Sequence, residues 1–144
     1  MNGMPYKLET EAAKSLALWH EMIAERNLER LHLIVQKDAI FRSPMVYAPY
    51  ASAQAVISVL NTAVQVFEDF TYHRELVSGD GLSVVLEFSA RVGDKKLKGI
   101  DLIRFDDQGL IVEFEVMVRP FTGLQALGAA MSVKLGDKLS GFKG

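Results

Sequence analysis

The sequence predicts one α+β domain in which helices come first and a run of long antiparallel strands follows. Apart from one short strand, apolar residues recur at helical spacing up to Phe67, whereas they alternate with polar residues from Phe70 to Val118. Helices and strands that are segregated in this way indicate an α+β architecture and not a doubly wound parallel sheet. The chain has 144 residues, the size of one ordinary domain, so we assign 1–144 to a single domain.

Three helical segments are predicted before the long strands. Thr10 is a suitable N-cap for the first helix, whose apolar stripe includes Trp19. Asn27 interrupts this pattern, and a second, shorter helix is predicted over 28–35. Ser52 is positioned to cap a third helix with a long apolar stripe.

The strands are delimited by Pro, Gly and Asp residues. A short edge strand is predicted from Asp38 to Ser43, because Pro44 ends it. Turn clusters separate the longer strands, which are predicted at 70–77, 82–92, 96–105 and 110–118. After Arg119-Pro120, an amphipathic terminal helix is predicted from Leu124 to Leu139.

The strand predicted at 96–105 places an acid among inward-facing apolar residues. One face of this strand consists of Leu97, Gly99, Asp101, Ile103 and Phe105. The opposite face carries lysines, so the first face is the better inner face. A carboxyl group in apolar surroundings is costly unless it is paired, protonated or facing a ligand cavity. Asp101 is therefore the candidate functional acid.

Composition and charge exclude several classes of function. The net charge is −2 and basic residues are not concentrated anywhere, which does not support nucleic-acid binding. The chain has no cysteine, and its three histidines lack metal-ligand spacing, so we predict no disulfide, no metal and no cofactor. No segment has a membrane-spanning or signal-peptide pattern, and we expect a cytoplasmic location without a membrane partner.

Three stretches, taken together in order and spacing, are typical of one known family. They are Leu18-Trp19-His20 with Asn27–Leu31, then Asp38–Pro44, then Ile100–Ile111. The chain resembles the nuclear transport factor 2-like superfamily, in its ketosteroid isomerase and SnoaL-like branch. The resemblance implies a cystatin-like roll, in which a curved antiparallel sheet forms a cone against the N-terminal helices and holds a small apolar ligand. It also implies a homodimer formed through the outer face of the sheet.

The resemblance also places individual residues at positions that carry chemistry in the family. Asp101 matches the protonated aspartic acid that donates a hydrogen bond to the oxyanion in ketosteroid isomerases, and Trp19 matches the tyrosine beside it. Ser43 matches the carboxylate base, yet a hydroxyl with no activating partner is a poor base. Gly99 stands where the epoxide-hydrolase members have an arginine. Neither mechanism transfers intact, whereas a SnoaL-like cyclase needs only one acid, with which Asp101 is compatible.

Inward-facing side chains of the predicted sheet and first helix provide the candidate ligand-binding set. It consists of Trp19, Phe41, Ser43, Tyr47, Tyr72, Phe88, Ile103, Phe114, Val116 and Val118. Aromatic residues on inner faces are more often ordinary core residues. Asp101 is equally compatible with a structural hydrogen bond to Trp19 or His20 that ties helix to sheet.

Three functions remain open from the sequence. The first is proton-transfer catalysis on an apolar, carbonyl-bearing or polycyclic substrate, with Asp101 as acid, base or oxyanion donor. The second is noncatalytic binding of a hydrophobic metabolite. The third is a protein-interaction module that uses Ile100, Leu102 and Met117 on the outer face, and this function requires a filled interior.

Overall fold

In the computed structural model, which describes residues 6–136, helices pack against a six-stranded sheet. The helices are α1 (Thr10–Glu25), α2 (Ala53–Val66) and α3 (Phe121–Leu135), with a 3-10 turn at Leu31–Leu33. The strands are β1 (Val35–Arg42), β2 (Tyr50–Ala51), β3 (Glu68–Val77), β4 (Ser83–Val92), β5 (Lys95–Phe105) and β6 (Ile111–Arg119).

The strand order of the sheet is β2-β1-β6-β5-β4-β3. Strands β3 to β6 form the antiparallel meander that the alternating pattern predicts. Strand β1 pairs with β6 in parallel, so the curved sheet is mixed and not antiparallel throughout. Parallel neighbours cannot be joined by a hairpin, and the chain between β1 and β6 accordingly contains α2 and four further strands. The predicted α+β, cystatin-like fold class is confirmed.

Local predictions before the long strands differ from the structure in several places. The strand predicted at the sheet edge, Asp38–Ser43, overlaps β1, which lies between β2 and β6. Ser52 is the N-cap residue of α2, but its side chain makes no capping hydrogen bond.

The other differences concern the first helices and the loop after β1. The segment predicted as a second helix contains only the 3-10 turn, and β1 begins at Val35. Leu28 and Leu31 are buried there, so their spacing reflects core packing and not a helical stripe. The segment 45–50, which contains Pro49, is predicted as loop, but its last residue belongs to β2 (Tyr50–Ala51), which pairs with β1. Thr10 is the first residue of α1 and does not cap it through its side chain.

Helix α3 begins directly after Pro120, whose peptide bond with Arg119 is cis. It packs against α2 and against strands β4, β5 and β6. The helix ends at Leu135, while the predicted extension to Leu139 lies outside the described residues. No helix within residues 6–136 is long and apolar enough to cross a membrane.

The inner faces of the strands are those that the alternation predicts. On β4 the buried residues of this face are Val84, Leu86, Phe88 and Ala90. On β5 they include Leu97, Asp101, Ile103 and Phe105. These side chains face the helices, so Asp101 enters the interior as part of a regular strand and not through an irregular loop.

Candidate functional site

A cavity of about 750 Å³ lies between the inner face of the sheet and the three helices. Its wall is mainly apolar and is formed by α1, α2, α3, the inner strands and the loop that follows β1. Small-molecule pockets in proteins usually measure roughly 300–1,000 Å³. The interior is therefore hollow, which argues against the interaction module, because that function requires a filled interior.

Asp101 is the buried acid of this cavity. It sits in the middle of β5, between Leu86 on β4 and Val116 on β6, and only 5% of its surface is exposed. Burial penalises the charged carboxylate and raises the pKa of Asp101 from its ordinary value of 3.8 to about 7, while a hydrogen bond from Tyr72 acts in the opposite direction. A carboxyl group with this pKa exchanges protons near neutral pH, as acid–base catalysis requires.

A chain of hydrogen bonds leads from α1 to Asp101. The indole N–H of Trp19 donates to the Tyr72 hydroxyl at 2.9 Å, and that hydroxyl donates to Oδ2 of Asp101 at 2.5 Å. Burial raises the pKa of Tyr72 well above 10, and the neighbouring Asp101 raises it further. Tyr72 therefore stays protonated and acts as a fixed donor to the carboxyl group.

The second carboxyl oxygen of Asp101 faces the cavity. Within residues 6–136, no group donates a hydrogen bond to Oδ1. Every fully buried polar side-chain atom in that range has a hydrogen-bond partner, so Oδ1 is not one of the fully buried atoms. Oδ1 is consequently not sealed in the core, and Asp101 contributes to the cavity wall. Tyr72 thus holds one oxygen of Asp101, while the other accepts no hydrogen bond from residues 6–136.

Local structure explains why Tyr72 and Trp19 point towards Asp101. The pairing of β3 with β4 is irregular on both sides of Tyr72, between Glu68 and Thr71 and again between Tyr72 and Glu75. Such irregularities bend a strand and redirect its side chains. Trp19 lies on the buried face of α1 and packs edge-on against Phe114, with ring centroids 5.2 Å apart.

The structure brings part of the predicted site together. Asp101 and five of the ten predicted ligand-binding residues contribute to the cavity wall: Trp19, Phe41, Ser43, Tyr72 and Val116. Their common feature is a side chain that reaches the space beside Asp101 or the loop after β1. Whether a ligand contacts them remains a prediction.

The other five predicted residues do not line the cavity. Phe88, Ile103 and Phe114 are fully buried in the core, and Phe114 is enclosed by Trp19 and by Phe41, which stacks on it at 6.1 Å. Val118 lies near the end of β6, beyond the cavity wall. Tyr47 is 99% exposed, because it sits in the loop between two prolines and faces solvent.

The residues that would complete the two related mechanisms are not in place. The Ser43 hydroxyl accepts the Met45 N–H at 3.0 Å, and no side chain within residues 6–136 accepts a hydrogen bond from it. His20 also lines the cavity, but its Nε2 is paired with Oε1 of Glu75 at 3.0 Å and not with Ser43 or Asp101. No group of three His, Asp or Glu side chains within 6–136 is arranged to hold a metal ion.

Gly99 leaves no room for the arginine of the epoxide-hydrolase arrangement. A Cβ atom at this position would lie 2.7 Å from Cζ of Phe88 and closer still to the carbonyl oxygen of Met117. Contacts this short between a Cβ and its neighbours do not occur without displacement of the core. The absence of an arginine beside Asp101 is thus a packing requirement of this chain.

Two features of the site were missed by the sequence analysis. Tyr72 was predicted to line the pocket, but its role as the donor to Asp101 was not, because the irregular pairing of β3 conceals which residues of β5 it faces. The contribution of Met45 to the wall was also missed, whereas the sequence leaves open whether the segment from Gly123 onwards covers the cavity. An apolar stripe on a helix gives no indication of whether it covers core or cavity.

A curved sheet that packs against helices around a cavity, with a buried acid in the cavity wall, is typical of small-molecule pocket proteins. Residues 16–114 match the family model described as a SnoaL-like domain, and the chain belongs to that family, within the nuclear transport factor 2-like superfamily.

Solved structures agree with this assignment. A steroid delta-isomerase from Pseudomonas aeruginosa is 60% identical, with a TM-score of 0.89 over 92% of this chain and 97% of that chain. An uncharacterised protein with a cystatin-like fold from Silicibacter pomeroyi DSS-3 is 30% identical, with a TM-score of 0.80 over 89% and 91% of the two chains. No curated protein matches the sequence.

Proposed function

We propose that the chain binds a small apolar, polycyclic ketone and catalyses isomerisation by proton transfer at Asp101. The observation that carries the proposal is one carboxyl group with a pKa of about 7, held by Tyr72 at the wall of an apolar cavity of about 750 Å³. The 60% identical relative is described as a steroid delta-isomerase, which supports the same substrate class here.

The proposed reaction uses the two oxygens of Asp101 differently. Tyr72 donates to Oδ2 and stabilises the carboxylate, while Oδ1 accepts a proton from a carbon next to the ligand carbonyl. The resulting acid returns that proton to another carbon of the same ligand, so that a double bond moves and no atom is gained or lost. A pKa near neutrality favours both steps, because it leaves the acid and its conjugate base close in free energy.

The apolar walls support this chemistry in two ways. They exclude water from the carboxyl group, which is the physical cause of its raised pKa. They also favour the binding of ring systems through apolar burial, worth roughly 25 cal/mol per Å². The Trp19 indole beside the acid adds a flat wall of this kind.

The test is turnover of a tetracyclic ketone whose double bond is not conjugated with its carbonyl. The conjugated product absorbs in the ultraviolet, so its formation is followed directly. Wild-type protein should form it, and Asp101→Asn should lower kcat by roughly 10²–10⁴-fold, because the amide accepts no proton. Binding, measured by fluorescence of the single tryptophan, Trp19, should persist in Asp101→Asn. Turnover that survives in this variant would contradict the proposal.

A comparison of two variants separates the roles open to Asp101. Asp101→Asn retains a hydrogen-bond donor but no proton acceptor, whereas Asp101→Ala retains neither. Equal inactivity of both variants indicates acid–base transfer at Asp101. Partial activity of Asp101→Asn alone indicates an oxyanion donor, with the base elsewhere.

A second function, noncatalytic binding of a hydrophobic metabolite, is favoured by one observation. Ser43 stands where the resemblance places a carboxylate base, and its hydroxyl already accepts the Met45 N–H. This function predicts unchanged affinity in Asp101→Asn and no turnover by any form of the protein.

The homodimer formed through the outer face of the sheet, where Met117 is 46% exposed, stays a prediction. The mass of the protein in solution tests it.

A further inference from the structure

A glycine in the middle of α3 requires a physical explanation. Gly128 is buried within this helix, although glycine is a poor helix former. A Cβ atom at this position would lie 2.5 Å from Cε and 3.0 Å from Sδ of Met45. The thioether of Met45 therefore occupies the space that a side chain at position 128 would need.

Met45 extends from the cavity wall to the surface. It contributes to the wall together with Gly128 and Met131, and half of its surface is exposed. The backbone of Met45 is held in place by its N–H, which donates to the Ser43 hydroxyl at 3.0 Å. The side chain is unbranched, has three rotatable bonds and adapts its shape to its neighbours.

We propose that Met45, seated on Gly128, is a specificity-determining residue that sets the width of the cavity for the apolar part of the ligand. Gly128 is the positioning residue, since its missing side chain decides where the thioether lies. The inference rests on the proposed function only in the identity of the ligand, a polycyclic ketone. The width itself follows from the Met45–Gly128 contact and applies to any apolar ring system.

The experiment compares the affinities of two ligands that differ in bulk. Androstenedione and progesterone share the ring that carries the conjugated carbonyl, and progesterone is the bulkier of the two. Each steroid is titrated into the protein, and its binding is followed by the fluorescence of Trp19. Met45→Ala should raise the affinity for progesterone relative to androstenedione about tenfold, because it removes Cγ, Sδ and Cε of Met45 from the cavity wall. Gly128→Ala should also change this ratio, but not in the Met45→Ala background, because the two residues act as one unit.

Two matched variants control for indirect effects. Tyr47→Ala truncates an exposed residue of the same loop, and Val133→Ala changes an exposed residue of α3 towards higher helix propensity. Neither lines the cavity, so both should keep the wild-type ratio. The proposal is overturned if Met45→Ala also keeps the wild-type ratio, or if Gly128→Ala changes the ratio equally with and without Met45.

A second pair of ligands separates this proposal from the proposed function. Naphthalene and pyrene differ in size and have no carbonyl, so proton transfer at Asp101 plays no part in their binding. If neither steroid binds while Met45→Ala changes the naphthalene-to-pyrene ratio, the ketone assignment fails and the role of Met45 stands. If no compound of either pair binds wild-type protein, both proposals are wrong.

Discussion

Replacement of Asp101 by asparagine should stabilise the protein at neutral and alkaline pH. The pKa of this group rises on folding from 3.8 to about 7, because burial penalises its charge. The folded state therefore holds a proton that the unfolded state releases between these values, and wild-type stability falls as the pH rises through this window. The difference between the two pKa values corresponds to a loss of roughly 4 kcal/mol in the free energy of unfolding, which is complete above pH ~7. Asparagine keeps the shape and an acceptor for Tyr72 but carries no charge.

Urea unfolding of both proteins at about pH 4 and about pH 8 measures the effect. We expect nearly equal free energies of unfolding at the acidic pH, and a variant that is more stable than wild type by roughly 2–4 kcal/mol at the alkaline pH. Asp107→Asn provides the matched control for the substitution itself, because Asp107 is exposed in the turn after β5 and lies outside the cavity wall. A variant that is less stable than wild type at the alkaline pH would refute the reasoning.

Three further substitutions test the packing and hydrogen bonds of the site. Tyr72→Phe removes the donor that lowers the pKa of Asp101, so that pKa should rise by roughly one to two units. Infrared spectroscopy of the carboxyl C=O stretch at different pH values measures this pKa. An unchanged pKa would contradict the hydrogen bond from Tyr72 to Asp101. Trp19→Phe should raise the same pKa less, because it acts only through Tyr72. Gly99→Ala should lower the free energy of unfolding by about 1–3 kcal/mol through overpacking against Phe88. Equal stability of variant and wild type in urea would contradict this expectation, because it would mean that the core accommodates the added methyl group without cost.

The strand alternation made much of the fold predictable. The inner faces of β4 and β5 agree with the structure because a period of two is preserved along regular strands. Asp101 was found by this argument alone, as an acid on an apolar face. The parallel pairing of β1 with β6 was not predicted, because a single strand carries no information on the direction of its neighbour.

The details of the site depended on contacts that a local pattern does not contain. Phe88 and Phe114 face inwards as predicted, yet aromatic neighbours cover them and keep them out of the cavity. Tyr47 is exposed because its loop turns outwards between prolines. Met45 lies against Gly128, which is far away in the sequence, and no local pattern indicates this contact.

The central claim is that Asp101 exchanges a proton with an apolar ligand from a position in the cavity wall. The most direct measurement is the carboxyl ¹³C chemical shift of Asp101, titrated with pH in the free protein and with a polycyclic ketone bound. The account predicts a pKa near 7 in the free protein and a further rise in that pKa on binding, because an apolar ligand adds to the burial of the carboxyl group. A pKa near its ordinary value of 3.8 that the ligand leaves unchanged would contradict it.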